Sequence, residues 1–289
     1  MKWAVAIGYH AEEAGRAALA AFAELGVDAS PIVTDDRDEL GSSVVVAARQ
    51  GHGVFIAGGD GTMNAVVDAL LGATDEPAVV GVLPAGTGSD FARMFAFPAD
   101  PAEAVRRAVA GDDYPIDVGV LSGRWGSRAV LNVGQAGIGG ATARLADRLP
   151  RSWGPRKYEL AFWGALPTFV PGPGRIEHDR GSVELERGVV VAACNGEFFG
   201  GGMRIAPKAS IVDGKFDLMV VDTHRAKALT LFPRMKQGLH LKDPAVRRIL
   251  TASFRLETER PWPVEIDGDG VGETPLEGRV EPAALRLRV

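Results

Sequence analysis

In the first 120 residues, short apolar runs alternate with amphipathic stretches, and two of the apolar runs open directly into glycine-bracketed acidic loops. Gly58-Gly59-Asp60-Gly61-Thr62 follows the run Gly53–Ala57, and Gly86-Thr87-Gly88-Ser89-Asp90 follows Val79–Leu83. Strand candidates at Trp3–Ile7, Ala29–Val33, Gly53–Ala57 and Val79–Leu83 are separated by helix candidates at Glu12–Leu25, Leu40–Gln50 and around Met63–Leu71. In the last of these, Met63, Val66, Val67, Leu70 and Leu71 form one apolar stripe, and Gly72 fits the position after the helix end. Asp100-Pro101-Ala102-Glu103 reads as a capped helix start, with the helix ending at Gly111. Strands alternating with helices predict parallel βαβ units and a doubly wound sheet.

Each glycine-acid loop therefore leaves the carboxyl end of a parallel strand and enters a helix. Ligands bind at that edge of an open α/β sheet. Glycines admit phosphate close to the backbone, and a helix start offers N–H groups to an anion. An Asp there repels bare phosphate, which points to a bound cation and so to a magnesium nucleotide. The bland reading of each loop alone is a tight turn in which Asp60, Thr62 or Asp90 caps the next helix. Two such loops after consecutive strands favour the binding reading.

Beyond about Val118 the pattern changes to β-rich runs separated by turns. These are Ala129–Val133, Ser182–Leu185, Val189–Cys194, Phe216–Val221, Ser253–Thr258, Val264–Ile266 and Ala284–Val289. They predict an antiparallel sandwich. Helix candidates lie at Lys157–Phe169 and Arg225–Gly238, and Pro171-Gly172-Pro173-Gly174 reads as a turn or loop. The boundary falls near Asp117–Leu121. This divides the chain into an α/β nucleotide-binding domain, 1–118, and a β-sandwich domain, 119–289, with the last residues able to pack back on the first. Asn195–Gly202 is too rich in glycine for a strand interior and suggests a site wall. Asp267-Gly268-Asp269-Gly270 is a good hairpin turn on its own.

Composition excludes several classes. The formal net charge of −5 gives no support to nucleic-acid binding. The single cysteine, Cys194, permits no intrachain disulfide and suits a reducing cytoplasm, and the five histidines show no zinc spacing. No apolar run approaches the roughly 20 residues of a membrane-spanning helix.

With these motifs in place, the sequence resembles the diacylglycerol kinase catalytic-domain family, in its bacterial soluble lipid-kinase branch. The resemblance spans nearly the whole chain. The family's GGDGT stands intact at Gly58–Thr62, and its P-x-G-T-x-N-D-[FY]-A-R appears as Pro84–Arg93. Its long N-G-x-x-x-G-G-G block appears as Asn195 to Asp217, and its late D-G-E as Asp267-Gly268-Asp269. Ser89 replaces Asn, Val212 replaces an acid, Asp269 replaces Glu, and Gly8-Tyr9-His10-Ala11 stands where the family has Asn-Pro-x-Ser-Gly.

The resemblance implies an α/β nucleotide-binding domain and a β-sandwich domain with the active site in the cleft between them. It implies an ATP- and magnesium-dependent lipid kinase, with diacylglycerol the first candidate substrate. Asp267 would be the general base, and Asp60, Asp90 and Asp213 would hold magnesium. Gly58, Gly59, Asp60, Gly61, Thr62, Gly86, Thr87, Asp90 and Asp269 would contact the nucleotide. Other lipid alcohols (a sphingoid base, phosphatidylglycerol) remain open as acceptors. So do a soluble NAD kinase-like reading and, more remotely, a non-catalytic nucleotide or lipid carrier. The expected partners are ATP and a lipid at an anionic membrane surface, with no nucleic acid and a homodimer left open. The expected location is the cytoplasm, peripheral on the inner membrane face. Arg144, Arg148, Arg151, Arg156 and Lys157, followed by Trp153, Tyr158, Phe162, Trp163 and Phe169, form the candidate docking segment. Its bland reading is aromatics packed inside and cations on a solvated face.

Overall fold

The computed structural model describes residues 1–86, 89–150, 153, 154 and 156–289, with Arg156 given by its backbone. The chain divides into two compact units, 1–117 with 282–289, and 118–281.

The first unit runs β1 (Trp3–Ile7), α1 (Glu12–Glu24), β2 (Ala29–Val33), α2 (Arg37–Arg49), β3 (Gly53–Gly58), α3 (Asp60–Leu70), β4 (Ala78–Pro84), α4 (Asp90–Met94) and α5 (Pro101–Ala110). Its sheet is parallel. β1 lies between β2 and β3, and β4 lies outside β3. Alternation along β1 sends Trp3, Val5 and Ile7 to one face, where they pack with Phe22 of α1, Phe55 of β3 and Val105 of α5. The rings of Phe22 and Phe55 meet edge to face at 5.2 Å. α2 and α3 pack on each other, as α1 and α5 do. That pairing is the signature of helices on both faces of a doubly wound sheet. The predicted caps form. Asp100 accepts from the Glu103 amide at 2.8 Å, and Asp36 accepts from those of Asp38 and Glu39. The C-terminal residues complete this unit. Leu285–Leu287 pair in parallel with Ala78–Val80 of β4, and the Ala283 amide donates to the buried Asp117 carboxylate at 2.8 Å.

β5 (Asp113–Gly123) leads out of this unit, and the second unit continues with β6 (Gly126–Val130), β7 (Val133–Gly137), α6 (Ile138–Ala146), α7 (Arg156–Ala165), β8 (Gly172–His178) and β9 (Gly181–Cys194). β10 (Phe216–Asp222), α8 (Ala228–Lys236), β11 (Val246–Thr251), β12 (Ser253–Thr258), β13 (Pro263–Ile266), β14 (Asp269–Glu273) and β15 (Leu276–Arg288) follow, with β15 ending in the first unit. β6 pairs antiparallel with β5, and the pairings among β7 to β14, with that of β12 and β15, are antiparallel too. The long β9 serves two neighbourhoods, because its first half pairs with β8 and its second half lies between β7 and β10. Cys194 ends this strand fully buried, and burial together with nearby Asp217 pushes its thiol pKa up.

Several elements depart from sequence expectation. The run Ala129–Val133, expected as one strand, is divided between β6 and β7 at Leu131-Asn132, and β5 and β11 form where no strand was expected. β8 begins inside the Pro171–Gly174 stretch expected as a loop. Its ladder slips between Gly172 and Gly174, which leaves Pro173 out of the pairing. α6 forms although Gly139 and Gly140 stand in its first turn, against helix propensity. Packing explains it. A methyl group on Gly140 would overlap the Pro263 carbonyl and lie 2.8 Å from the Val264 nitrogen, so glycine lets α6 seat directly on β13. Gly140→Ala should therefore destabilise the second unit by about 1–3 kcal/mol, measured by chemical denaturation. A neutral outcome would mean that α6 does not press on β13.

Candidate active site

The two glycine-acid loops lie at the carboxyl ends of β3 and β4, and the Gly8 segment that replaces the family's Asn-Pro-x-Ser-Gly follows β1 beside them. The Gly8 amide donates to Ala57 O at 2.9 Å, and the Ala85 amide donates to Gly58 O at 2.9 Å. The two glycine loops touch. A methyl on Gly59 would sit 3.0 Å from Gly86 Cα, and one on Gly86 would overlap Gly59. The Thr62 side chain lies over the backbone of Gly58 and Gly8, where any β-carbon would collide with it. At the start of α3, the amides of Asp60, Gly61 and Thr62 precede the first intrahelical donor, Met63 N. Such a start suits an anion.

Asp60 does more than line this edge. Its Oδ2 accepts from the Asp90 amide at 3.0 Å, and its Oδ1 accepts from the Phe91 amide at 3.2 Å. Asp60 therefore caps α4 from another loop. The residue before α4, Ser89, is left-handed at φ 44 and makes no side-chain cap. Asn, the family's usual residue here, tolerates that conformation better than Ser. Asp90 is buried and lies 3.9 Å from the Arg93 guanidinium. The structure thus brings Gly58, Gly59, Asp60, Gly61, Thr62, Gly86 and Asp90 together, while Thr87 lies outside the described residues.

The second unit holds Asp267. The hairpin of β13 and β14 turns on Asp267-Gly268, both at positive φ (47 and 98), the dihedral signature of a type I′ turn. The hairpin reading holds, and the Asp267 side chain also makes contacts beyond its own turn. Asp267 Oδ2 accepts from the Leu131 amide, and Oδ1 accepts from those of Asn132 and Val133, each at 2.9 Å. The Asn132 carbonyl in turn accepts from the amides of Asn195 and Gly196 at 2.9 and 2.8 Å. Asn195 Nδ2 reaches the Leu131 carbonyl at 3.1 Å. The start of the Asn195 block and the Asp267 turn are thus joined through the short link between β6 and β7. Asn132 is a residue that sequence reasoning missed; the signal was a lone Asn inside the apolar run Ala129–Val133.

Within the same block, Phe199 and Met203 exchange backbone hydrogen bonds around Gly200, Gly201 and Gly202, all at positive φ. Asp213 is exposed and accepts from the Lys215 amide across its own turn at 3.1 Å. The buried acid of the block is Asp217, paired with Arg248. Asp269 is exposed, with Arg128 3.9 Å away. Among the described residues, no three His, Cys, Asp or Glu side chains converge as a ready metal site. Magnesium keeps much of its water and takes one or two carboxylates. The adjacent Asp60 and Asp90 fit that role, and Asp213 belongs to the other unit.

The diacylglycerol kinase catalytic domain matches residues 8–121, and the YegS C-terminal NAD kinase beta sandwich-like domain matches residues 132–289. The chain belongs to the diacylglycerol kinase catalytic-domain family. A diacylglycerol kinase of Mycobacterium tuberculosis is 31% identical over 283 residues, covering 96% of this chain and 90% of the relative. A Pseudomonas aeruginosa protein named "Probable lipid kinase YegS-like" is 30% identical over 291 residues, covering 97% and 92%. A crystal structure of a diacylglycerol kinase from Bacillus anthracis superposes with a TM-score of 0.74 at 19% identity, covering 99% of this chain and 96% of that one. This last likeness speaks for the fold: an α/β domain followed by a sandwich, as the sequence implied.

Asp60→Ala removes the acceptor for two helix-start amides and should cost about 0.5–2 kcal/mol. Asp60→Asn keeps one acceptor and should cost less. Denaturation of the two variants checks this, and equal stability of both with the parent protein would contradict the clamp.

Proposed function

We propose that this protein is a lipid kinase that uses ATP and magnesium to phosphorylate a lipid hydroxyl, with diacylglycerol as the leading acceptor and phosphatidic acid as product. The observation that carries the reading is the contact of two glycine loops at the carboxyl edge of a parallel sheet, locked together by Asp60, in a chain whose two domains both match a kinase family. The names of the relatives favour a lipid acceptor over NAD.

In this reading the backbone of Gly58, Gly59, Gly61 and Gly86 and the hydroxyls of Thr62 and Thr87 approach the nucleotide phosphates, and Asp269 contacts the nucleotide. Asp60 and Asp90, and by resemblance Asp213, would hold magnesium. There it would supply neutralisation of the phosphate charge. Asp267 accepts the proton of the attacking lipid hydroxyl as the oxygen bonds to the γ-phosphorus and the bond to the β-phosphate oxygen breaks. A carboxylate is a weak base toward an alcohol. In a loose transition state its main work is to orient the hydroxyl and take the proton late. Three amide donors hold Asp267 in place for that task. Transfer from labelled ATP should reach short-chain diacylglycerol more readily than a sphingoid base, phosphatidylglycerol or NAD. Transfer to NAD alone, or to no acceptor, would overturn the reading.

The acceptor resides in a membrane, and no helix among the described residues is long and apolar enough to cross one. The docking segment supports reversible attachment in part. Phe162 and Phe169 are buried, and Phe162 stacks on Phe232 at 4.0 Å, so these aromatics are core. Tyr158 is half-buried. Trp153, Leu160 and Trp163 are exposed by 46%, 52% and 39%. Arg148 is exposed too, and Lys157 lies over the Tyr158 ring. Arg144 is engaged by Glu273 at 3.0 Å. Arg151 lies outside the described residues, as does the side chain of Arg156. We read the exposed group as a surface for the anionic inner face of the cell membrane, where each basic residue contributes about 1 kcal/mol. Leu160→Ser with Trp163→Ser and Arg148→Gln should weaken cosedimentation with anionic liposomes at low salt. Activity on dispersed short-chain lipid should persist. Undiminished cosedimentation would remove this surface from the account.

A further inference from the structure

Glu265 stands two residues before Asp267 on β13 and is buried, with 4% of it exposed. Its cross-strand partner on β7 is Gln135, also buried. Glu265 Oε1 accepts from Gln135 Nε2 at 2.6 Å, and Oε2 accepts from the Gly268 amide at 2.7 Å. The ladder with β14 slips beside it. Val264 faces Gly272 while Glu265 faces Gly270, so the strand carries its irregularity next to the turn. On the other side of Gln135, a methyl on Gly139 would overlap the amide, so the space is cut to this side chain.

A buried carboxylate in a strand costs stability unless its hydrogen bonds repay the lost water. An aliphatic residue here would avoid that cost but would leave the Gly268 amide and the Gln135 amide unpaired. The retained acid therefore serves the turn. Asp267 is gripped by the Leu131–Val133 amides, and the next residue of the same turn is gripped by Glu265. We propose that Glu265 is a positioning residue for Asp267, fixing through the Gly268 amide the turn from which Asp267 takes the lipid hydroxyl proton. The assignment rests on Asp267 as the proton acceptor.

The surroundings also make Glu265 a group that titrates in the working range. Burial pushes its carboxyl up to about 7 against the opposing hydrogen bonds from Gln135 and Gly268, and the charges of Asp267 and Asp269 add to the rise. Tyr158 of α7 also faces it, and its own pKa is raised by burial and then by Glu265, Asp147 and Asp269; Arg128 of β6 lies by Asp269. Arg144 of α6 is committed to Glu273. Ionised, Glu265 sets a second negative charge behind Asp267 and strengthens its pull on a proton; neutral, it does not. The transfer rate should climb as pH rises through about 7.

The test compares the parent protein with Glu265→Gln and Glu265→Leu in phosphoryl transfer from ATP to short-chain diacylglycerol between pH 5.5 and 9. In Glu265→Gln a flip of the Gln135 amide keeps both contacts without the charge. Its rate should lose the climb near 7 while the protein stays folded. Glu265→Leu should lose about 10- to 100-fold in kcat with nucleotide KM little changed, as expected of a misplaced group. In protein labelled with nitrogen-15 glycine, the Gly268 amide resonance should move with pH near 7 in the parent and stay still in Glu265→Gln. A full kcat in Glu265→Leu, a climb that survives in Glu265→Gln, or a Gly268 resonance that does not titrate would each overturn the assignment while leaving the kinase reading intact. A parent protein that transfers to no acceptor would instead overturn the kinase reading, and the assignment with it.

Discussion

The three residues Leu131–Val133 form the hub on which the second unit's candidate chemistry depends. Their amides converge on Asp267, and the carbonyls of Leu131 and Asn132 receive donors from Asn195 and Gly196. One short link thereby sets two segments more than 60 residues apart in sequence. The magnitudes favour the arrangement. A left-handed non-glycine residue costs on the order of 1–2 kcal/mol. Hydrogen bonds to a charged group contribute roughly 1.5–3 kcal/mol each. Three of them outweigh the modest strain of a left-handed Asp267, and they fix which way its carboxylate points.

The first unit repeats the device with different parts. Asp60 holds the amides of Asp90 and Phe91 and so fixes the start of α4 against the start of α3. α4 spans only five residues, too few to be stable on its own. Its order comes from Asp60 and from the buried Phe91. The contact of Gly59 with Gly86 follows, because only paired glycines let the two backbones meet.

Much of this was legible before the structure. An apolar β-branched run ending in two glycines and an acid is a strong local statement, and both glycine loops fall where that pattern puts them. The Asp100 cap and the Met63–Leu71 stripe were readable for the same reason: the signal sits within one turn of chain. What was not legible is non-local. Pro171–Gly174 has loop chemistry, and only the slip that expels Pro173 makes it part of β8. The glycines of α6 argue against a helix until Pro263 and Gln135 are seen to press on them. Glu265 reads as the solvent-facing member of an alternating strand, because its partner Gln135 is 130 residues away. The role of Asn132 is carried by its backbone, which no side-chain motif announces.

These clamps change the weight of one sequence argument. Acids in phosphate loops imply a cation because bare carboxylates repel phosphate. Here the Asp60 carboxylate already faces the amides of a helix start, which carry partial positive charge. Asp90 has Arg93 at 3.9 Å. Repulsion within the loops is thus partly offset by the chain itself. In the proposed reaction the demand for magnesium would come instead from the charge on the transferring phosphoryl oxygens and the leaving phosphate. Asp267 carries a parallel lesson. Both of its oxygens accept backbone amides, so an Asn there must turn its NH₂ toward at least one N–H donor. The shape-preserving swap that would isolate a base from a turn residue is not shape-preserving at this site. A loss of transfer in Asp267→Asn would report the clamp and the base together, and only a comparison of its rate loss with its loss of stability separates the two.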